Sequence, residues 1–137
     1  MGNKTFAMIK PDAVASGKLG KVIDATLQAG FSIKGGRLTL ITRAQAEEFY
    51  AVHRERPFYG ELVDFMSSGQ TFVMALEKDN AVQAWRDTIG ATDPAEAADG
   101  TIRKMYAENK GRNAVHGSDS DENAEKEIAF FFSGAEI

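Results

Sequence analysis

The chain has two histidines, and their neighbourhoods differ. His116 closes a short apolar run, Ala114-Val115-His116, and precedes Gly117 and Ser118-Asp119-Ser120-Asp121. A histidine at a strand end is held by the sheet while its ring can face solvent. The Ser-Asp run opens a helix, whose first N–H groups and dipole favour anions. Two readings stand here: a turn histidine without a role, and a reactive imidazole beside a bound anion. The following helix has an inward stripe of Ala124, Glu127, Ile128 and Phe131. A carboxylate facing inward needs a partner. Bonded to one ring nitrogen of His116, Glu127 would fix the tautomer and leave the other nitrogen free as a nucleophile. The alternative is that Glu127 sits at the stripe's edge and reaches water. His53 lies on another helical stripe beside Arg54 and Arg56 and reads as a partly buried structural histidine.

An anionic substrate needs cations. Lys10 ends the first strand and is followed by Pro11, Arg86 follows the inward Trp85, and Arg103 sits in a short helix after Gly100-Thr101. Each alone also reads as a solvated surface charge. Phe58, after Pro57, is either an exposed aromatic platform or a core residue. The sequence contains no G-x-x-x-x-G-K-[ST] and no G-x-G-x-x-G, so neither of those phosphate-binding loops is available. The H-R-D and D-F-G motifs are missing too. Phosphate chemistry would therefore rest on basic side chains and a histidine. With no cysteine, disulfides, thiolate metal sites and cysteine nucleophiles are excluded.

These residues need a scaffold. The 137 residues suit one domain spanning 1–137, with 43% hydrophobic and 26% charged residues, a globular balance. The net charge of −4 argues against nucleic acid as the main partner. No apolar run reaches the length of a membrane span, and the start lacks the apolar core of a signal peptide, so a cytoplasmic protein is expected. Thr5 to Ile9 reads as a strand, then a turn at Lys10-Pro11-Asp12. Leu19, Val22, Ile23, Thr26 and Leu27 have helical spacing, with Gly30 after them. Phe31 to Ile41 reads as a strand, and Gly35-Gly36 suggests a bulge or a close backbone approach.

Thr42 and Gln45 form a capping-box pattern for a helix with Ala46, Phe49, Tyr50 and His53 on one stripe, broken by Pro57. A short helix carries Leu62, Val63, Phe65 and Met66. Thr71 to Leu76 is a buried strand. Asp79-Asn80 can cap a helix with Ala81, Val82, Trp85 and Ile89 inward. Loop 90–100, a short helix over 101–107, the strand 114–116 and a last helix to about Phe132 complete the chain. This split βαβ order predicts a ferredoxin-like α/β (α+β) sandwich: a four-stranded antiparallel sheet, with additional helices. The first and third strands should be central. With helices on one face, the other face would need cover from the last helix or another subunit.

Asn113-Ala114-Val115-His116-Gly117-Ser118-Asp119-Ser120 resembles the active-site signature of nucleoside diphosphate kinases. Ile9-Lys10-Pro11-Asp12-Ala13-Val14, Arg56-Pro57-Phe58-Tyr59, Leu62-Val63, Met66-Ser67-Ser68-Gly69, Arg86, Gly90-Ala91-Thr92-Asp93-Pro94 and Gly100-Thr101-Ile102-Arg103 follow in the family's order and spacing. The resemblance covers essentially the whole chain. It implies an enzyme that moves the γ-phosphate of a nucleoside triphosphate to a nucleoside diphosphate, maintaining triphosphate pools. The reaction would run by ping-pong through a phosphohistidine. Mg²⁺ would sit on the nucleotide phosphates, with no metal site on the protein. By position, His116 would be the nucleophile, with Glu127, Lys10 and Tyr50 as its catalytic support. Lys10, Arg86, Thr92, Arg103 and Asn113 would contact phosphates and ribose, and Phe58 would stack on the base.

The chain departs from the family's pattern at Gln70, where proline is common, and at Lys110, where an apolar residue is frequent. The resemblance implies a homo-oligomer built from dimers. The short tail, Gly134 to Ile137, leaves tetramer and hexamer both open. A non-catalytic nucleotide- or nucleic-acid-binding module is the alternative, as is a catalytically dead homologue. Against the latter stands the intact set Lys10, Tyr50, Arg86, Thr92, Arg103, Asn113, His116 and Glu127.

Overall fold

A computed structural model describes residues 2–134; residues 135–137 of the tail, on which the choice of assembly was argued, lie outside the described residues. Four strands form one sheet: β1 (Lys4–Ile9), β2 (Ser32–Leu40), β3 (Gln70–Glu77) and β4 (Val115–Gly117). Their order is β2-β3-β1-β4, with every neighbouring pair antiparallel. The first and third strands are central, as the split βαβ order requires. Seven helices accompany them among the described residues: α1 (Pro11–Ala15), α2 (Leu19–Gln28), α3 (Arg43–Phe49), α4 (Tyr59–Met66), α5 (Ala81–Ile89), α6 (Ile102–Tyr106) and α7 (Asp121–Phe131).

Alternation along β1 divides the core. Phe6 and Met8 pack with Ala46, Tyr50, Val63, Met66, Ile128 and Phe131. Ala7 and Ile9 pack with Val22, Phe31, Trp85, Ile89 and Ile102. A strand buried on both faces is apolar along most of its length, and β1 is buried from Thr5 to Ile9 with Thr5 its one polar residue there. Both sheet faces are thus covered within the chain. Of the two covers expected for the second face, the last helix supplies it: α7 closes that face, joined by α3 and α4. The edge strand β2 stays open, and Leu38 and Leu40 on it are exposed.

Local chemistry explains most boundaries. Thr42 and Gln45 form the capping box reciprocally, with bonds of 3.1 and 2.9 Å. Their helix stops at Phe49, well before Pro57, and a 3₁₀ turn over Ala51–His53 follows. His53 therefore leaves the helical stripe on which its spacing had placed it. The segment after Lys10 is α1 rather than a bare turn, because Pro11 fits a first helical position. The β2–β3 register shifts between Ile33 and Gly35. A Cβ on Gly36 would lie 2.9 Å from the ring of Phe72, so the glycine pair serves both a bulge and a close approach. Asn80 caps α5 in a left-handed conformation at φ 54°, without a side-chain cap bond.

Gly117 is where the two layers meet the short strand. A Cβ there would stand 2.7 Å from Cδ1 of the fully buried Trp85 and 3.2 Å from Ile89. Gly117→Ala should therefore cost about 1–3 kcal/mol through overpacking. Thermal unfolding would read this as a drop in Tm of several degrees. An unchanged Tm would mean that β4 does not press on Trp85 as described.

Candidate active site

His116 is held from both sides of the sheet. Its backbone pairs with Met8 across β1 and β4. Its carbonyl accepts a 3.1 Å hydrogen bond from the Trp85 indole. Its ring meets those of Phe6, Phe49 and Tyr50 edge-on, with centroids 6.1, 5.6 and 6.4 Å away. Nε2 lies 3.0 Å from Oε1 of Glu127, and the Ser118 hydroxyl donates to that same oxygen at 2.6 Å. A carboxylate only accepts, so Nε2 carries the proton and Nδ1 keeps a free lone pair. Both side chains are about one-fifth exposed, 19% for His116 and 22% for Glu127. The ring is thus fixed yet reachable.

Positive charge surrounds the same strand. Arg103 is buried, a correction to the surface reading. Its guanidinium donates to the carbonyls of Gly90 at 3.0 Å and Val115 at 2.9 Å. Lys10 donates its amine to Oδ1 of Asn113 at 2.9 Å, and the Asn113 amide donates to the Thr92 carbonyl at 3.4 Å. Arg86 is exposed beside a cleft of about 490 Å³, also lined by Thr92, Arg103 and Gly117. A second cleft of about 480 Å³ is lined by Tyr50, His53, His116, Gly117, Asp119 and Glu127. The two clefts share Gly117, so the imidazole and the arginines face adjoining spaces.

The crowding of cations has a cost. Burial, then the nearby Arg103 charge, pushes the Lys10 ammonium down to about 8, against the opposing pull of Asp12. Burial and Arg86 bring Arg103 down to about 10, which leaves it a cation at neutral pH. Tyr50 goes the other way: burial and the Glu127 charge raise its phenol, which stays neutral. Its hydroxyl has no hydrogen-bond partner among the described residues. Tyr50 thus sits against the histidine, as expected, while the amine of Lys10 goes to Asn113.

Phe58 is 47% exposed, and lines neither cleft. It connects to the site through His53, whose ring lies 5.6 Å from Phe58 and 6.5 Å from Tyr50. Among the described residues no group of three or more His, Cys, Asp or Glu side chains could hold a metal ion. Sequence reasoning missed Ser118 and the indole of Trp85 as supports of His116. Ser118 stood out as an N-cap type and as part of the signature run, without a role of its own, and Trp85 only as an inward apolar residue.

A cluster of this kind should bind multivalent anions in a pH-dependent way. Lys10 is charged below about pH 8 and loses its proton in the free protein above it. Pyrophosphate affinity, measured by calorimetry, should therefore weaken as pH rises through 8, by at most about one log unit per pH unit. Lys10→Arg should remove that loss, and the difference between the two proteins cancels the anion's own titration. Parallel profiles for both would contradict this placement of Lys10.

The likeness to known proteins covers nearly the whole chain. Residues 3–137 match the family described as Nucleoside diphosphate kinase. The nucleoside diphosphate kinase of Flavobacterium psychrophilum is 58% identical, over 98% of this chain and 96% of that protein. The crystal structure of the Aquifex aeolicus enzyme superposes with a TM-score of 0.96 at 48% identity, covering 98% of each chain. The Halobacterium salinarum enzyme, solved in complex with CDP, superposes at 0.93 and 39% identity, over 99% of this chain and 91% of that one. With the His116–Glu127 pair and its ring of cations on a four-stranded sheet, the chain belongs to the nucleoside diphosphate kinase family.

Proposed function

We propose that the protein transfers the γ-phosphate of a nucleoside triphosphate, typically ATP, to a nucleoside diphosphate by way of a phosphohistidine on Nδ1 of His116. The observation that carries this is the 3.0 Å contact between Nε2 and Glu127, which occupies one ring nitrogen and leaves the other. In the first half-reaction the Nδ1 lone pair attacks the γ-phosphorus. The bond to the β–γ bridging oxygen breaks, and the nucleoside diphosphate leaves with that electron pair. Positive charge then develops on the imidazole, and the Glu127 carboxylate, held by Ser118, offsets it at the Nε2 proton. The second half-reaction reverses these events with a different diphosphate.

Phosphoryl transfer asks mainly for alignment and for cations at the transferring oxygens. Lys10, Arg86 and Arg103 supply the charge, with Thr92 and Asn113 adding polar contacts to phosphate and ribose. Tyr50 walls the imidazole. Phe58, exposed and backed by His53, offers a face on which any base can stack, since every base has a π-face. A site of cations without a carboxylate cage fits Mg²⁺ that arrives on the phosphates. When bound, the metal would disperse their charge and fix their geometry.

The reading includes a cytoplasmic homo-oligomer built from dimers. Its support is a chain without cysteine, an open β2 edge and the exposed Leu38 and Leu40 on it. Among the described residues no helix is long and apolar enough to cross a membrane.

The test is phosphoenzyme trapping. With Mg²⁺ and γ-labelled ATP but no acceptor, the protein should take up acid-labile, alkali-stable label. A chase with another nucleoside diphosphate should remove it. His116→Ala should take up none while staying folded. Glu127→Ala should label about 10- to 100-fold more slowly, because orientation is lost while the nucleophile remains. Label that persists in His116→Ala would move the nucleophile elsewhere. A folded wild-type protein that takes up no label would overturn the reading.

A further inference from the structure

The backbone two residues before His116 is strained. Ala114 is fully buried and has φ +72°, a region that L side chains rarely adopt. The carbonyl of Asn113 accepts from the amide of Val115 at 2.8 Å, closing a three-residue turn around Ala114. A turn of this hand is rare and strained. Such strain persists only where the surroundings over-determine it. Here both backbone groups of Ala114 are taken by the segment that carries Lys10. Its carbonyl accepts from the Lys10 amide at 2.8 Å. Its amide donates to Oδ2 of Asp12 at 3.0 Å, in a bond that is wholly buried.

Asp12 is itself 7% exposed, and its second oxygen has no hydrogen-bond partner among the described residues. A buried carboxylate with one orphaned oxygen is costly in a purely structural role. The turn it holds is flanked by Asn113, which takes the Lys10 amine, and leads through Val115 to His116. Relaxing Ala114 to negative φ would rotate both ends of this segment.

We infer that Asp12 is a positioning residue for phosphoryl transfer, its carboxylate holding the Ala114 turn that aims Asn113 and His116 at the same phosphate. This rests on the reading of His116 as nucleophile. Asp12 makes no hydrogen bond to the imidazole; it acts through the backbone of Ala114, apart from the pull of its charge on the Lys10 ammonium. Its loss should therefore appear in the rate of the chemical step at saturating nucleotide, rather than in nucleotide affinity.

The experiment is single-turnover phosphoenzyme formation at pH 6, where Lys10 stays charged without the pull of Asp12, over a range of ATP concentrations. Asp12→Ala should lower the saturating rate by about tenfold or more, while the half-saturating concentration moves less than about threefold. Asp12→Asn keeps an oxygen acceptor and should stay within about threefold of wild type. Ala114→Gly removes the penalty for positive φ, so Asp12→Ala in that background should regain most of the rate. A wild-type rate in Asp12→Ala overturns the proposal. So does a loss confined to half-saturation, or an Asp12→Asn protein as slow as Asp12→Ala. If Asp12→Ala alone loses its circular dichroism signal, the double variant decides, and a double variant that is also unfolded overturns the proposal. Failure of the wild-type protein to label would instead count against the nucleophile assignment.

Discussion

A carboxylate must reach one particular nitrogen of one histidine, and most of the molecule serves that contact. Glu127 is placed by α7, and α7 is placed by apolar packing. Ala124, Ile128 and Phe131 are buried on the sheet, and Phe131 stacks on Phe6 at 5.4 Å with ring planes 7° apart. The helix stripe thus fixes the carboxylate's depth to within a residue's rise. His116 is fixed from the opposite direction. Its strand is too short to hold itself, so β1 supplies the ladder and Trp85 reaches through from the other face to its carbonyl. The two cores of the sandwich therefore converge on a three-residue strand. Glycine at 117 is what allows them to come that close.

Around this pair the protein accumulates charge that does not favour the empty state. Lys10 and Arg103 are both pushed toward their neutral forms by burial and by neighbouring cations. Placing them together costs stability, and a bound polyphosphate returns that cost as affinity. Preorganised cations in a partly dry site need no rearrangement when negative charge moves between oxygens. The strained turn at Ala114 belongs to the same pattern, since it lies two residues from His116.

How much of this can be read from residues alone depends on whether the cause is local. The capping box at Thr42 and Gln45, the buried stripe of α5 and the bulge at Gly35 follow from side-chain chemistry within a few positions, and each is found as read. The stripe of α7 made His116 a candidate partner for Glu127 but left water as the alternative, and the resemblance pointed to the pair. Non-local causes were less visible. Helix α3 ends at Phe49, where the chain passes along the histidine's cleft, and no breaker marks that place. The burial of Arg103 depends on carbonyls from two distant segments, Gly90 and Val115. Cover of the second sheet face depends on α3 and α4 folding back with α7, which periodicity alone does not fix. The roles of Ser118 and Asp12 arise only once distant backbone is brought alongside them.

With Glu127 holding Nε2, the proposed reaction puts the phosphate on Nδ1 of His116. The direct test is ³¹P and ¹H–¹⁵N NMR of the trapped phosphoenzyme with ¹⁵N-labelled histidine. The expected spectrum couples phosphorus to Nδ1 of His116, with Nε2 still protonated toward the carboxylate. Phosphorus coupled to Nε2 would contradict the arrangement and would require Glu127 to leave the imidazole before transfer.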